Sequence, residues 1–171
     1  MSHRGEKTMK KIKIIIILSI LLCLFSLLFC ETQAEPPTNF RQSNAGTSSN
    51  PYLISSLENL RWLSETASVW SSHFLQTADI DASETRHWRN GWGFRRIGII
   101  YYSEIEDDFI MPFRGTYDGN NYSISNMYQT DVNDLGHYFS STSYLSMFGD
   151  IVGATIKNVK LEDIDFIAKD N

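Results

Sequence analysis

A five-residue pattern, small-Ile-x-Asn-apolar, occurs twice in this chain, as Ser123-Ile-Ser-Asn-Met127 and Thr155-Ile-Lys-Asn-Val159. The two copies are offset by 32 positions (156 − 124). Each sits in a longer related stretch, residues 113–127 and 146–161. Self-similarity on this scale is restrictive. A unit this short cannot bury its own apolar face and must stack against a neighbour. Ile156, Val159, Leu161, Ile164 and Phe166 continue the pattern with polar residues between them. Short strands joined by tight corners meet that pattern, with aliphatic side chains stacked inward and asparagine amides laddered to the backbone at the corners. The feature argues for a scaffold and specifies no reaction.

The N-terminus reads as an export leader. Lys7, Lys10, Lys11 and Lys13 form a basic start, and Ile14 to Cys30 is a 17-residue run without charge. Thr32 and Ala34 then offer small residues at the spacing a signal peptidase requires, with cleavage after Ala34. Two other readings stand beside it. The run is near the lower length limit for a spanning helix, about 17 residues, which allows an uncleaved anchor. Cys30 would be the acylated residue of a lipoprotein, although Phe29 occupies a position that normally holds a small residue. Membrane contact is therefore expected only through the leader, if it stays uncleaved or is lipidated at Cys30.

The partition expected is a signal peptide at 1–34, a breaker-rich linker at 35–49 and one domain at 50–171. Cys23 and Cys30 both lie in the leader, so the mature chain has neither a disulfide framework nor a thiolate metal site. Beyond Ala34 there are 10 basic and 18 acidic residues, a balance of −8. The basic residues are scattered, and the net sign opposes nucleic-acid binding.

Within the domain, Tyr52 to Ile54 reads as a strand. Ser55 or Ser56 caps a helix over 56–68, with Leu57, Leu60, Trp62, Leu63 and Ala67 near helical spacing. His73 to Asp81 alternates like a strand, Asn90-Gly91 signals a turn, and Phe94 to Tyr102 is a second apolar run. Phe109 to Tyr117 and Tyr122 to Tyr128 are strands about a turn at Asp118-Gly-Asn-Asn121, with Gly119 expected at positive φ. Gln129 to Thr142 reads as a loop. Tyr144 to Ile151, Ala154 to Val159 and Leu161 to Ile167 read as three short strands.

These motifs, taken in order, resemble the N-terminal unit of GLUG-repeat proteins. The resemblance rests on Gly46-Thr-Ser-Ser-Asn-Pro-Tyr-Leu-Ile54, Phe74-Leu-x-x-Ala-Asp-Ile-Asp81, Arg96-Ile-Gly98, Phe113-Arg-Gly-Thr-Tyr-Asp-Gly-Asn120 and Gly153-Ala-Thr-Ile-Lys-Asn-Val-Lys-Leu161. Ser146-Met-Phe-Gly149 replaces the usual Gly-Leu-Phe-Gly, so the leading glycine is lost. The family is one of bacterial surface or secreted proteins. It implies a mainly all-β chain, a right-handed parallel β-helix or solenoid of the pectate-lyase-like type with one N-terminal capping helix. It also implies adhesin-like or surface architecture, and it does not imply an enzyme. The chain carries far fewer repeats than its resemblance leads one to expect. A truncated product, a scaffold completed by a partner chain and a small stand-alone variant all follow from that. Edge-to-edge self-association is the expected behaviour of an uncapped parallel edge.

Residues expected to carry the fold are Gly115, Asp118, Gly119, Asn120, Ile124, Asn126, Phe148, Gly149, Ile156 and Asn158. Trp88, Trp92, Tyr101 and Tyr102 flank turns, where exposed rings can stack on sugars and Arg86 and Arg89 can bond hydroxyls. Asp79 and Asp81 offer a carboxylate pair for Ca²⁺ or for acid–base work on a glycan, against solvated edge residues or turn caps as the plainer reading. Glu104, Glu106, Asp107 and Asp108 lack the ordered spacing of a calcium loop and read as a solvated loop. His73, His87 and His137 form no spaced catalytic set, and no His-Glu-x-x-His occurs. No cofactor is expected. The sequence therefore leads to an exported, secreted or surface-held, non-enzymatic adhesin-like module that binds carbohydrate or an extracellular protein. A polysaccharide-active enzyme fragment and a structural fragment without independent function are the alternatives.

Overall fold

The computed structural model describes residues 11–20, 31–101, 109–130 and 145–168. The chain divides into two compact units, Met1–Glu31 and Thr32–Asn171. In the first, residues 11–20 are helical and exposed. Among the described residues no helix is long and apolar enough to cross a membrane. Cys23 and Cys30 lie outside the described residues.

The second unit begins in hydrogen-bonded turns. Residues 35–49, expected to be a linker, are tied to the domain. Asn39 is buried; its Nδ2 donates to the Pro51 carbonyl at 2.8 Å and its Oδ1 accepts the Leu53 N–H at 3.2 Å. Strand β1 (Tyr52–Ile54) follows, then helix α1 (Leu57–Glu65). Ser56 caps α1 by accepting the Asn59 N–H, and Leu57, Leu60, Trp62 and Leu63 form its buried face. Burying each such side chain stabilises by about 1.5–3 kcal/mol. The expected helix over 56–68 stops at Glu65; Ala67–Val69 is a 3₁₀ turn.

The expected strand over His73–Asp81 is broken in two, β2 (His73–Gln76) and β3 (Ile80–Asp81). The 3₁₀ turns of Ser83–Gly91 follow, interrupted where Arg89 and Asn90 take positive φ. Strands β4 (Ile99–Tyr101) and β5 (Phe109–Met111) form an antiparallel pair. Then come β6 (Thr116–Asp118), β7 (Ser123–Ser125), β8 (Tyr128–Thr130), β9 (Thr155–Lys157), β10 (Lys160–Glu162) and β11 (Asp165–Ile167). Of the expected strand over 144–151, Tyr144 lies outside the described residues, and the described part contributes isolated bridges, Phe148 to Ile97 and Ile151 to Phe113.

Three small sheets are wholly parallel, in the orders β1-β2-β6-β9, β10-β7-β3 and β11-β8. Inward residues stack in register: Tyr52, Phe74, Tyr117 and Ile156 along the first, Ile80, Ile124 and Leu161 along the second. Aromatic contacts extend the core, with Phe113 against Phe148 at 5.1 Å and Tyr117 edge-on to Phe148 at 5.4 Å.

The fold class corrects the sequence-based expectation. The chain is mixed α/β, with about 25% of residues in helix and 29% in strand, built as small parallel sheets with helices. It is not an all-β right-handed parallel β-helix with a single capping helix. The physical reason lies in the repeat. The two copies of small-Ile-x-Asn-apolar do not lie on one another: Ile124 faces Leu161, 37 positions on (161 − 124), while Ile156 faces Tyr117. The pattern marks a strand followed by a left-handed corner residue, and such corners occur at successive strands. Similarity between corners was read as similarity between stacked units.

Candidate functional site

Of the four aromatic residues expected to meet a ligand, the side chains of Trp88 and Trp92 are among those described. Trp88 is buried at 1% exposure, 6.4 Å from Phe94 in a stacked arrangement, and the Arg61 guanidinium lies 4.6 Å over its ring. Its ring is core packing, and among the described residues its Nε1 finds no hydrogen-bond acceptor. Trp92 is half-buried beneath the Arg89 guanidinium, 5.7 Å from its ring centre. Tyr101 has its backbone in β4, and Tyr102 lies outside the described residues.

A different ledge is built where the 83–94 segment grips β8. Thr85 Oγ1 donates to the Ala82 carbonyl at 2.6 Å and accepts the Tyr128 N–H at 2.8 Å. Phe94 N–H donates to the Tyr128 carbonyl at 2.9 Å, and Thr130 N–H to the Trp92 carbonyl at 3.0 Å. Gly93 makes this approach feasible, because a Cβ there would lie 2.3 Å from the Tyr128 carbonyl oxygen. The Arg86 guanidinium consequently sits 4.4 Å over the Tyr128 ring and pairs with Asp165 at 2.5 Å. Arg86 and Asp165 are both exposed, at 53% and 41%. An aromatic ring flanked by a guanidinium and a carboxylate can pack on an apolar sugar face and bond its hydroxyls. Arg86 was legible in the sequence as a neighbour of Trp88; Tyr128 and Asp165 were not, since only the fold brings them to it.

Asp79 and Asp81 are committed to structure. Asp79 precedes β3, and its Oδ1 accepts the Ser123 N–H at 2.8 Å and hydroxyl at 3.2 Å. Asp81 Oδ1 accepts the Ser83 N–H and the Asn126 Nδ2, each at 3.0 Å. The Asn126 bond, aided by that from Ser83, holds the Asp81 carboxyl below the ordinary carboxylate range. That keeps it ionised, the reverse of what a general acid on a glycan requires.

The same device recurs one sheet away. Asn158 Nδ2 donates to Asp118 Oδ1 at 2.9 Å and lowers its pKa, with smaller help from the Asn120 N–H and Lys157. Asn126 and Asn158 were expected to ladder to backbone; each bonds instead to the aspartate that ends the neighbouring strand. Buried amides add a second set of ties. Gln76 is fully buried, with its Nε2 donating to the Ala78 and Ser123 carbonyls and its Oε1 accepting the Tyr117 hydroxyl at 3.1 Å. Burial raises the Tyr117 pKa above its ordinary value. Gln129 Nε2 donates to the Phe94 carbonyl and its Oε1 accepts the Ser146 N–H.

Among the described residues no three His, Cys, Asp or Glu side chains converge to hold a metal ion. Glu104, Glu106, Asp107, Asp108 and His137 lie outside the described residues; His73 is half-buried in β2 and His87 is exposed.

The chain is similar to halomucin of Haloquadratum walsbyi. The two are 37% identical over 95 residues, which take in 53% of this chain and 1% of halomucin. The chain thus spans a very small part of that relative's length. No protein-family model matches the chain, and no solved structure does. A surface-associated role is the coarse reading that this similarity supports.

Proposed function

We propose that this chain is an exported, surface-associated module that acts by display and binding and performs no catalysis. The observation that carries the reading is the 37% identity to halomucin over 95 residues. The leader supports it, with four lysines ahead of a 17-residue uncharged run and small residues at 32 and 34. The GLUG-like motifs support it as a resemblance to surface and secreted proteins. The partner proposed is carbohydrate or an extracellular protein, and the Arg86–Tyr128–Asp165 ledge is the place for the contact. Asp79 and Asp81 are engaged as acceptors, which argues against the glycan-cleaving alternative.

The test is expression of the full chain with its own leader in a secreting host, followed by fractionation and N-terminal sequencing. The reading predicts surface or medium material beginning at Glu35. Cytosolic material that keeps Met1 or Met9 at its N-terminus would contradict it. Tyr128→Ala, which removes the ring and leaves the backbone bonds, should weaken retention on a polysaccharide matrix without changing localisation.

A further inference from the structure

Each of the three parallel sheets has one of its two edges on one of the consecutive strands β9, β10 and β11, with β1, β3 and β8 at the opposite edges. Among the described residues, β9, β10 and β11 each have a strand neighbour on one side only. This end of the domain also exposes apolar side chains, with Ile151 and Val152 each 46% exposed, Ile167 40% and Leu161 39%. The opposite edge of the largest sheet, β1, is covered: Tyr52 packs edge-on against Trp62 of α1 at 5.4 Å, and Phe40 closes over both. Head-to-tail addition would have to displace that packing from β1, whereas association through the open end of both copies displaces none of it. Such a contact is isologous, two-fold and closed.

We propose that two copies of this chain dimerise through the β9–β10–β11 edges, on a two-fold axis at Leu161. The sequence of the edge is complementary to itself under that operation. A two-fold axis pairs like strands antiparallel. Centred on Leu161, it sets Lys160 opposite Glu162 of the other copy, and Glu162 opposite Lys160. In the proposed contact β9 lies on β11 of the other copy: Ile156 and Phe166 are each five positions from Leu161 (161 − 156 = 5; 166 − 161 = 5), across left-handed corners at Asn158 and Asp163. Ile156 then meets Phe166, and Lys157 meets Asp165. Inward apolar residues face inward apolar residues, and each outward lysine faces a carboxylate. The period-two alternation of a strand would be violated by a shift of one residue, so the register is specified.

The charges are already placed at the edge. Lys160 pairs with Glu162 of its own strand at 2.8 Å, and Lys157 with Asp118 at 3.0 Å. All four side chains retain solvent access, and a second copy adds a counter-charge to each edge residue without stranding it. Leu161 gains the cover that Ile80 and Ile124, stacked behind it, already possess.

Light scattering on the purified full chain, followed with concentration, tests this. The mass should rise to twice that of one chain. Lys160→Glu places like charges opposite each other twice per dimer, as does Glu162→Lys; each should weaken association by roughly tenfold or more. Mixing the two variants should restore it, because the two glutamates of one copy then face the two lysines of the other. Both positions are on the surface, so far-UV circular dichroism should be unchanged. If either variant misfolds, Lys157→Asp and Asp165→Lys provide a second crossed pair, at the cost of the Lys157–Asp118 and Arg86–Asp165 ion pairs, respectively. A parent chain that stays monomeric would overturn the proposal. So would a dimer indifferent to both reversals, as one formed through the leader would be, or a mixture that fails to associate.

Discussion

At the level of single residues, the corners decide how the sheets connect. Asn126 and Asn158 sit at φ 60° and 54°, a region asparagine tolerates better than most side chains, and each donates to an aspartate. Their positions were legible in the sequence, because small-Ile-x-Asn is what a strand plus left-handed corner requires. Their partners were not, since Asp81 and Asp118 precede them by 45 and 40 positions. Asn126→Gly keeps the backbone conformation and loses one bond, and should cost about 0.5–1.5 kcal/mol. Asn126→Asp should behave differently with pH. In the parent, Asp81 and Asp118 are held below their ordinary value of 3.8, so their contribution is present above it and lost as pH falls through the lower folded values. In Asn126→Asp two carboxylates meet, the pair's pKa rises, and stability missing at pH 7 is recovered on acidification. Urea unfolding at neutral and acid pH reads the opposite slopes directly. Gln76 was invisible to periodicity, as one more polar residue in an alternating run. Gln76→Leu keeps the volume but orphans the Tyr117 hydroxyl and two carbonyls, and should cost about 3 kcal/mol in the same measurement.

Helix α1 was the most legible element, because its cap and its Leu57, Leu60, Leu63 face are local information. The strands were legible as short apolar runs but not as to where they break. The segment 73–81 alternates throughout, yet the chain turns after Gln76 as its amide bonds back to Ala78. The 118–121 turn was anticipated with Gly119 at positive φ; Asn120 and Asn121 take that conformation instead. Glycine is needed at 119 because the neighbouring strand approaches, leaving only 2.4 Å between a Cβ and the Asn158 carbonyl oxygen. The approach is tighter at Gly115, where a Cβ would lie 2.0 Å from the Ser72 carbonyl oxygen. Gly115→Ala should therefore part β2 from β6 and cost about 3 kcal/mol or more, read as a fall in the thermal midpoint. A midpoint unchanged by this substitution would mean that the two strands are farther apart than described. Sequence alone cannot reveal such contacts, since they depend on which strand arrives opposite.

For the molecule as a whole, the internal repeat misdirected the fold. The repeat pointed to units stacked at its own 32-residue offset, whereas the sheets join the two stretches in another register and share the chain with helices and turns. Depth within the sheets also sets how much a position matters. Ile124 is fully buried between Ile80 and Leu161, whereas Ile156 is half-buried on an edge strand. Ile124→Asp should abolish cooperative folding, at a cost above about 4 kcal/mol, while Ile156→Asp should cost about 1–2 kcal/mol and leave a folded domain by circular dichroism. The candidate ledge was half legible: Arg86 and the aromatic character of its surroundings were seen, but Trp88 is core and the ring beside Arg86 is Tyr128. The two related stretches pair in this molecule, but at offsets of 37 (161 − 124) and 39 (156 − 117) residues rather than 32. Nuclear Overhauser contacts between strand backbones test that most directly. The account predicts contacts of Leu161 with Ile124 and of Ile156 with Tyr117. Contacts of Ile156 with Ile124, at the 32-residue offset of the repeat, would contradict it.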